Sequence, residues 1–221
     1  MRDSDLTVAL LIVGGAIAAL YFFPSNAQAV PMPDGYVPPD NSLVPIDNIS
    51  SMIANTIDPM DAFLYMIRST ENKSVPDPDR YYRFYGNAVF SDLSDHPVNT
   101  GELKGVQLPD SMCRAAGYPP GCVSTAAGAY QIIRPTWNRI RQAGIWGPRL
   151  PDFSPASQDE AARRLINGSG AGDLLISGDL PGAISKASKL WASLPGSLAN
   201  QRPVSADTAI AYYNDRATGV A

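Results

Sequence analysis

DPMDAFLYMIRSTEN, running from Asp58 to Asn72, is the stretch on which the reading of this chain turns. Asp58 suits a helix N-cap and Pro59 the first helical position, where the missing N–H costs nothing. Asp61 adds a negative charge in the first turn, where the helix dipole favours it. Phe63, Met66, Ile67 and Thr70 then recur at i, i+3, i+4 and i+7, the spacing of a core-facing stripe. Glu71 falls at the end of that helix, beside unpaired carbonyls that disfavour an ionised carboxylate. A carboxyl that must hold a proton near neutral pH gains from such a place, so Glu71 is a general-acid candidate. From this segment alone, a solvated helix-end glutamate fits as well.

Bulk composition narrows the chemistry. The 221 residues are 45% hydrophobic, enough for one cored domain with appendages. Residues 1–57 hold one basic and five acidic side chains, whereas residues 58–221 hold 16 of each sign. No basic stripe with interleaved aromatics occurs, so nucleic acid is not an expected partner. With one histidine and two cysteines, the ligand set of a zinc hydrolase is missing, and no metal or other cofactor is expected. His96 reads as a structural hydrogen-bonding group rather than as part of a nucleophilic triad.

Three regions follow from the order of the chain: 1–23, 24–57 and 58–221. Leu6 to Phe23 is an 18-residue apolar run, and as a helix it would be about 27 Å long, close to a bilayer's hydrocarbon core. Ala27-Gln28-Ala29 also resembles a small-x-small cleavage site, so a secretory signal peptide competes with a retained membrane anchor. The anchor is favoured because the run is long and Asp3 and Asp5 spoil a basic n-region; membrane contact is then expected through residues 6–23. The body would face the periplasm or belong to a virion, or would be secreted after cleavage at Ala29. Six prolines between Pro24 and Pro45 read as a semi-extended tether. Ile46, Ile49, Ile53 and Ile57 then suggest a short amphipathic helix.

Beyond Glu71, YYRFYGNAVF (Tyr81–Phe90) predicts a β-hairpin about Gly86-Asn87. Asp92 and Asp95 in the following loop read locally as turn-makers. Residues 98–122 look like an insert closed by Cys113 and Cys122, which would form a disulfide outside the cytoplasm. In STAAGAYQIIRPTWNRI (Ser124–Ile140), the small residues let a backbone or a ligand approach closely. Tyr130 and Gln131 supply a ring to pack on a sugar and an amide to hydrogen-bond it. Helices are expected from Pro135 to Gly144, from Pro155 to about Asn167, near 181–191 and over 205–217. The fold class is α+β, mostly helical with one small hairpin.

The segment from about Met60 to Gly219 resembles the lambda-phage endolysin family of lytic transglycosylases, which have a lysozyme-like fold. Five ordered motifs carry the resemblance. They are Ser69-Thr70-Glu71-Asn72 at the helix end, Phe90 to Pro97 with Asp92, Ser94, Asp95 and His96, Ser124 to Gln131, Asp152 to Asp159, and LWASLPG from Leu190 to Gly196. The resemblance implies cleavage of the β-1,4 bond between N-acetylmuramic acid and N-acetylglucosamine in peptidoglycan, with Glu71 as the single catalytic carboxylate and 1,6-anhydro-muramyl ends as product. It also implies Ser124, Tyr130 and Gln131 as sugar-holding residues, with Phe90 and Asp95 lining the cleft. Trp137 and Trp191 read as core. The insert, the missing aromatic residue near Leu198 and the N-terminal extension depart from the family pattern. Two other functions stay open: a muramidase using Asp92 or Asp95 as second carboxylate, and a non-catalytic virion or wall-binding protein.

Overall fold

The computed structural model describes residues 58–114, 117–197 and 203–219, with the backbone alone at 9–13, 16–20 and 115. In chain order the elements begin with strands β1 (Ala9–Val13) and β2 (Ala16–Leu20), helices α1 (Pro59–Glu71) and α2 (Pro97–Thr100), and strand β3 (Val106–Gln107). Helix α3 (Asp110–Ala115), strand β4 (Val123–Ser124) and helices α4 (Arg134–Ile140) and α5 (Pro155–Gly168) follow. Helices α6 (Ala171–Ile176), α7 (Leu180–Ala187) and α8 (Ala206–Ala217) end the series.

Helix α1 forms as its local chemistry dictates. The Asp58 side chain accepts a hydrogen bond from the Met60 N–H at 2.9 Å, and Pro59 opens the first turn. Burial goes further than a stripe: from Ala62 to Thr70 only Tyr65 escapes it. The reason is enclosure. Helix α8 lies along α1, with α5 and α6 also packed on it. Arg216 on α8 ties to Asp61 at 2.8 Å, fixing the N-terminal end. Around Phe153, the rings of Phe90, His96 and Trp137 stand 5.9, 5.2 and 4.8 Å away. Trp137 and Trp191 are both core, as their apolar neighbours suggest.

Two expectations change. The hairpin over Tyr81–Phe90 keeps its turn but not its strands. Gly86 and Asn87 both take positive φ, +77° and +69°, but pairing is reduced to a single bridge between Arg83 and Val89. Two hydrogen bonds stay inside it, from the Phe84 N–H to Ala88 at 2.8 Å and from the Phe90 N–H to Tyr82 at 3.1 Å. Others go to the loop before α4: the Tyr85 N–H donates to Ala126 at 2.9 Å, and the Gly128 N–H donates to Arg83 at 2.7 Å. The small sheet of the body pairs β3 with β4 antiparallel, Val106 opposite Ser124, at the neck of the insert. The insert also carries the Cys113–Cys122 disulfide.

The apolar helix expected over 6–23 is not shown. There β1 pairs with β2 antiparallel, from Ala9 opposite Leu20 to Val13 opposite Ala16. Gly14 and Gly15 interrupt this run, and glycine disfavours a helix interior. No helix among the described residues is long and apolar enough to cross a membrane. The proline-rich tether and the Ile46–Ile57 helix lie outside the described residues.

The small-residue run before α4 serves a backbone approach rather than a ligand. Gly128, at φ +77°, faces Gln158 of α5 so closely that an added Cβ would sit 2.1 Å from its Oε1. Gln158 accepts from the Ala129 N–H at 2.9 Å and donates to Tyr81 and Phe153 carbonyls at 3.0 and 2.8 Å. One buried amide thus pins three segments together.

Candidate active site

A cavity of about 430 Å³ opens at the C-terminal end of α1. Its wall is made by Thr70, Glu71 and Asn72, by the following Lys73–Val75, by the turn Arg83–Asn87, by Gln131, and by Ala192 and Ser193. Glu71 is the only carboxylate among these residues. Although Glu71 keeps some accessible surface at the wall, protein crowds its carboxyl. Desolvation by burial pushes its pKa up from 4.5 to about 7, against opposing pulls from Ser193 hydrogen bonds and the Lys73 charge. Burial is the largest of these causes.

Three hydroxyl and carboxyl groups of the cavity wall form a chain. Ser193 Oγ donates to Glu71 Oε1 at 2.6 Å, Thr70 Oγ1 lies 2.9 Å from Ser193 Oγ, and Thr70 Oγ1 donates to the Ile67 carbonyl at 2.8 Å. When Glu71 is ionised, the Ser193 proton points at it. When Glu71 is protonated, its O–H can donate to Ser193, Ser193 to Thr70, and Thr70 to Ile67, so every proton has an acceptor. Either charge state is met by turning hydroxyls, with no backbone movement. Such a carboxyl can both give and take a proton near neutral pH.

The frame around Glu71 is rigid. The Asn72 amide donates to the Ala129 carbonyl at 2.8 Å. Arg68 pairs with Asp77 at 2.9 Å, and Arg80 reaches Ser69 Oγ at 2.8 Å, fastening the loop that follows the helix.

Of the other sequence-derived candidates, only Gln131 reaches the cavity wall. Its amide nitrogen donates to the Gly128 and Arg83 carbonyls at 3.0 and 3.4 Å, and its backbone sits at φ +47°. Tyr130 is fully buried and spends its hydroxyl on Asp159 at 2.6 Å, so its ring packs on core rather than on a sugar. Ser124 is buried, its Oγ accepting from the Ala126 N–H at 3.3 Å. Phe90 is buried against Phe153.

Asp95 stands away from the wall and accepts from Trp137 Nε1 and the His96 N–H, both at 2.7 Å, and from Arg141. Burial raises its pKa but these hydrogen bonds win, and it stays below the usual carboxylate range. Asp92 is exposed, bonded to Ser94, and likewise lies off the wall. His96 is buried between Ile132 and Val98 and is pushed down to about 4 by desolvation, in keeping with a structural role. Among the described residues no cluster of His, Cys, Asp and Glu could hold a metal ion.

Sequence reasoning misses Ser193, Thr70, Asn72, Lys73, Arg83 and Tyr85 as wall residues. For Ser193 a signal exists, its place inside LWASLPG, but nothing local ties it to Glu71.

Comparison with known proteins fits this geometry. A family model described as Endolysin matches residues 61–220. The chain is 36% identical to the endolysin of Escherichia phage lambda over 131 residues, which is 59% of this chain and 70% of that protein. It is 39% identical to the endolysin of Escherichia phage P2 over 114 residues, 52% of this chain and 61% of that one. Among solved structures, bacteriophage lambda lysozyme complexed with a chitohexasaccharide aligns at a TM-score of 0.57 and 33% identity, covering 72% of this chain and 94% of that one. A second structure of lysozyme from bacteriophage lambda aligns at 0.55 with 32% identity, over 72% of this chain and 94% of its own. With its helix-end glutamate, its cavity and the extent of these matches, the chain belongs to the lambda-type endolysin family.

Proposed function

We propose that this protein is a peptidoglycan lytic transglycosylase in which Glu71 is the sole catalytic carboxylate. The observation that carries the reading is that Glu71 is the only carboxylate among the described residues of the cavity wall and is held near pKa 7. Its protonated form donates to the glycosidic oxygen between N-acetylmuramic acid and N-acetylglucosamine, and that bond breaks. The resulting carboxylate takes the proton of the muramyl C6 hydroxyl as its oxygen attacks C1 of the same sugar. Glu71 ends protonated again and no water is consumed. Tethering the nucleophile within the sugar replaces the second carboxylate that hydrolytic glycosidases need. That Asp92 and Asp95 stay off the wall supports this reading over a two-carboxylate muramidase. The lambda lysozyme solved with a chitohexasaccharide supports a glycan strand as ligand. The Cys113–Cys122 bond supports a body that works outside the cytoplasm.

Digestion of cell walls in heavy-oxygen water tests the mechanism. Mass spectrometry is expected to find muramyl ends lighter by one water and free of the label. Labelled reducing ends as the main product would refute the transglycosylase reading.

A further inference from the structure

Arginines enclosed by this fold are paired. Arg68 and Arg80 meet Asp77 at 2.9 and 3.3 Å, Arg164 meets Glu160 at 2.9 Å, and Arg141 meets Asp95. Arg83 differs. It lines the cavity beside Glu71 and is partly buried, and its Nε is shut from solvent with no hydrogen bond among the described residues. Arg141 Nε is also unbonded, but that guanidinium has Asp95 to neutralise it. A desolvated guanidinium edge without an acceptor is costly unless a ligand supplies one.

Lys73 lines the same cavity and is exposed. It is near enough to Glu71 to favour that carboxyl's charged form. Among the described residues these three are the only charged ones of the wall, so when Glu71 carries its proton they leave two positive charges there and no negative one. Residues 58–221 taken together are balanced, 16 basic against 16 acidic. The excess is local, and it faces the place where the strand would lie.

We propose that Arg83, assisted by Lys73, is a specificity-determining residue that binds a carboxylate carried on the lactyl arm of the muramyl sugar. The inference rests on the peptidoglycan reading of the cavity and names what that reading leaves open. Two sources share the chemistry: the lactyl carboxylate itself, free where the peptide has been removed, and the carboxylates of the stem peptide. A guanidinium–carboxylate contact is directional and charge-assisted, and at a partly shielded site it gives about tenfold in affinity. Neutral chitin-type strands offer no such group, so this pair would make the cavity discriminate muramyl from plain N-acetylglucosamine polymers.

The test measures binding to the full-length Glu71→Gln protein by calorimetry, so that no strand is cleaved. Peptide-free and peptide-bearing glycan strands are each titrated before and after their carboxylates are converted to methylamides. Amidation is expected to weaken one or both strand types about tenfold, with the difference shrinking at high salt. Loss with peptide-free strands identifies the lactyl carboxylate, and loss confined to peptide-bearing strands identifies the stem. Adding Arg83→Gln should bring the ratio of intact to amidated strands close to one. If that variant does not fold, Lys73→Gln is read in its place and should reduce the ratio and its salt dependence. Equal binding of intact and amidated strands, or a ratio unchanged by these substitutions, overturns the proposal. A wild-type protein that releases no wall fragments would instead overturn the enzymatic reading, which the binding ratio does not depend on.

Discussion

Removing the Ser193 hydroxyl should move the pH profile of the reaction upward. In the wild type Ser193 Oγ donates to Glu71 Oε1 at 2.6 Å, a bond that favours the ionised carboxyl. Hydrogen bonds to charged groups are worth about 1.5–3 kcal/mol net, and one pKa unit corresponds to about 1.4 kcal/mol, so the gross effect is roughly one to two units. The cavity is open to solvent, and water entering at the vacated place recovers part of that. Ser193→Ala is therefore expected to raise Glu71 from about 7 to about 8. A general acid works only while it holds its proton, so the alkaline limb of kcat/KM should shift up by about one unit. Release of labelled fragments from purified walls, followed at low substrate between about pH 5 and 10, reads this limb directly. A limb that stays in place, or moves down, refutes the argument even if the rate falls at every pH. That second pattern would mark Ser193 as merely structural.

Glu71→Gln should abolish nearly all wall degradation, because an amide cannot donate a proton at comparable acidity. The same variant should also be more stable than the wild type at pH 8 and equal to it near pH 4.5. The folded carboxyl titrates at about 7 against an ordinary 4.5, so the native state holds the extra proton in between and loses up to about 3 kcal/mol as pH rises through that window. Thermal melts at the two pH values check it. Tyr130→Phe removes a buried hydroxyl that donates to Asp159 at 2.6 Å, and should cost about 1–3 kcal/mol while KM changes less than about twofold. A large rise in KM with an unchanged melting temperature would return Tyr130 to the sugar.

What is legible in the sequence is what local chemistry decides. Asp58-Pro59 announces a helix start because cap and first turn are neighbours, and it caps as expected; Ser154 before Pro155 and Ser205 cap α5 and α8 in the same way. The turn at Gly86-Asn87 is legible for the same reason, since positive φ suits those residues. The strands beside it are not, because part of their backbone groups is claimed by a distant loop: Phe84 bridges Ala127, and the Tyr85 N–H donates to Ala126. Tyr130 misleads because a tyrosine hydroxyl suits a sugar and a buried carboxylate equally. Its acceptor, Asp159, is 29 residues away. Ser193 stands inside a legible motif, but its tie to Glu71 is not legible, because the two meet across 122 residues and a serine amid Trp-Ala-Ser-Leu-Pro has no chemistry of its own to declare.

The division of the cavity wall has a physical logic. A carboxyl that must present its proton within a fraction of an ångström needs a support that does not move. Glu71 ends the most enclosed helix of the body, held at one end by Asp61–Arg216 and at the other by Arg68–Asp77 and by Asn72 on the Ala129 carbonyl. Burying that carboxyl works against stability, and the cost is tolerable where many contacts already over-determine the position. The remaining wall has the opposite character. Lys73, Ser74, Gly86 and Asn87 are exposed and sit on turns or just past a helix end, with few side-chain ties to the core. On the proposed reading, substitutions there would change which strand is held without disturbing how Glu71 is aimed. Chemistry and preference would then be carried by different elements, with Arg83 at their junction, its carbonyl tied to Gly128 and Gln131 and its Nε without a hydrogen bond among the described residues.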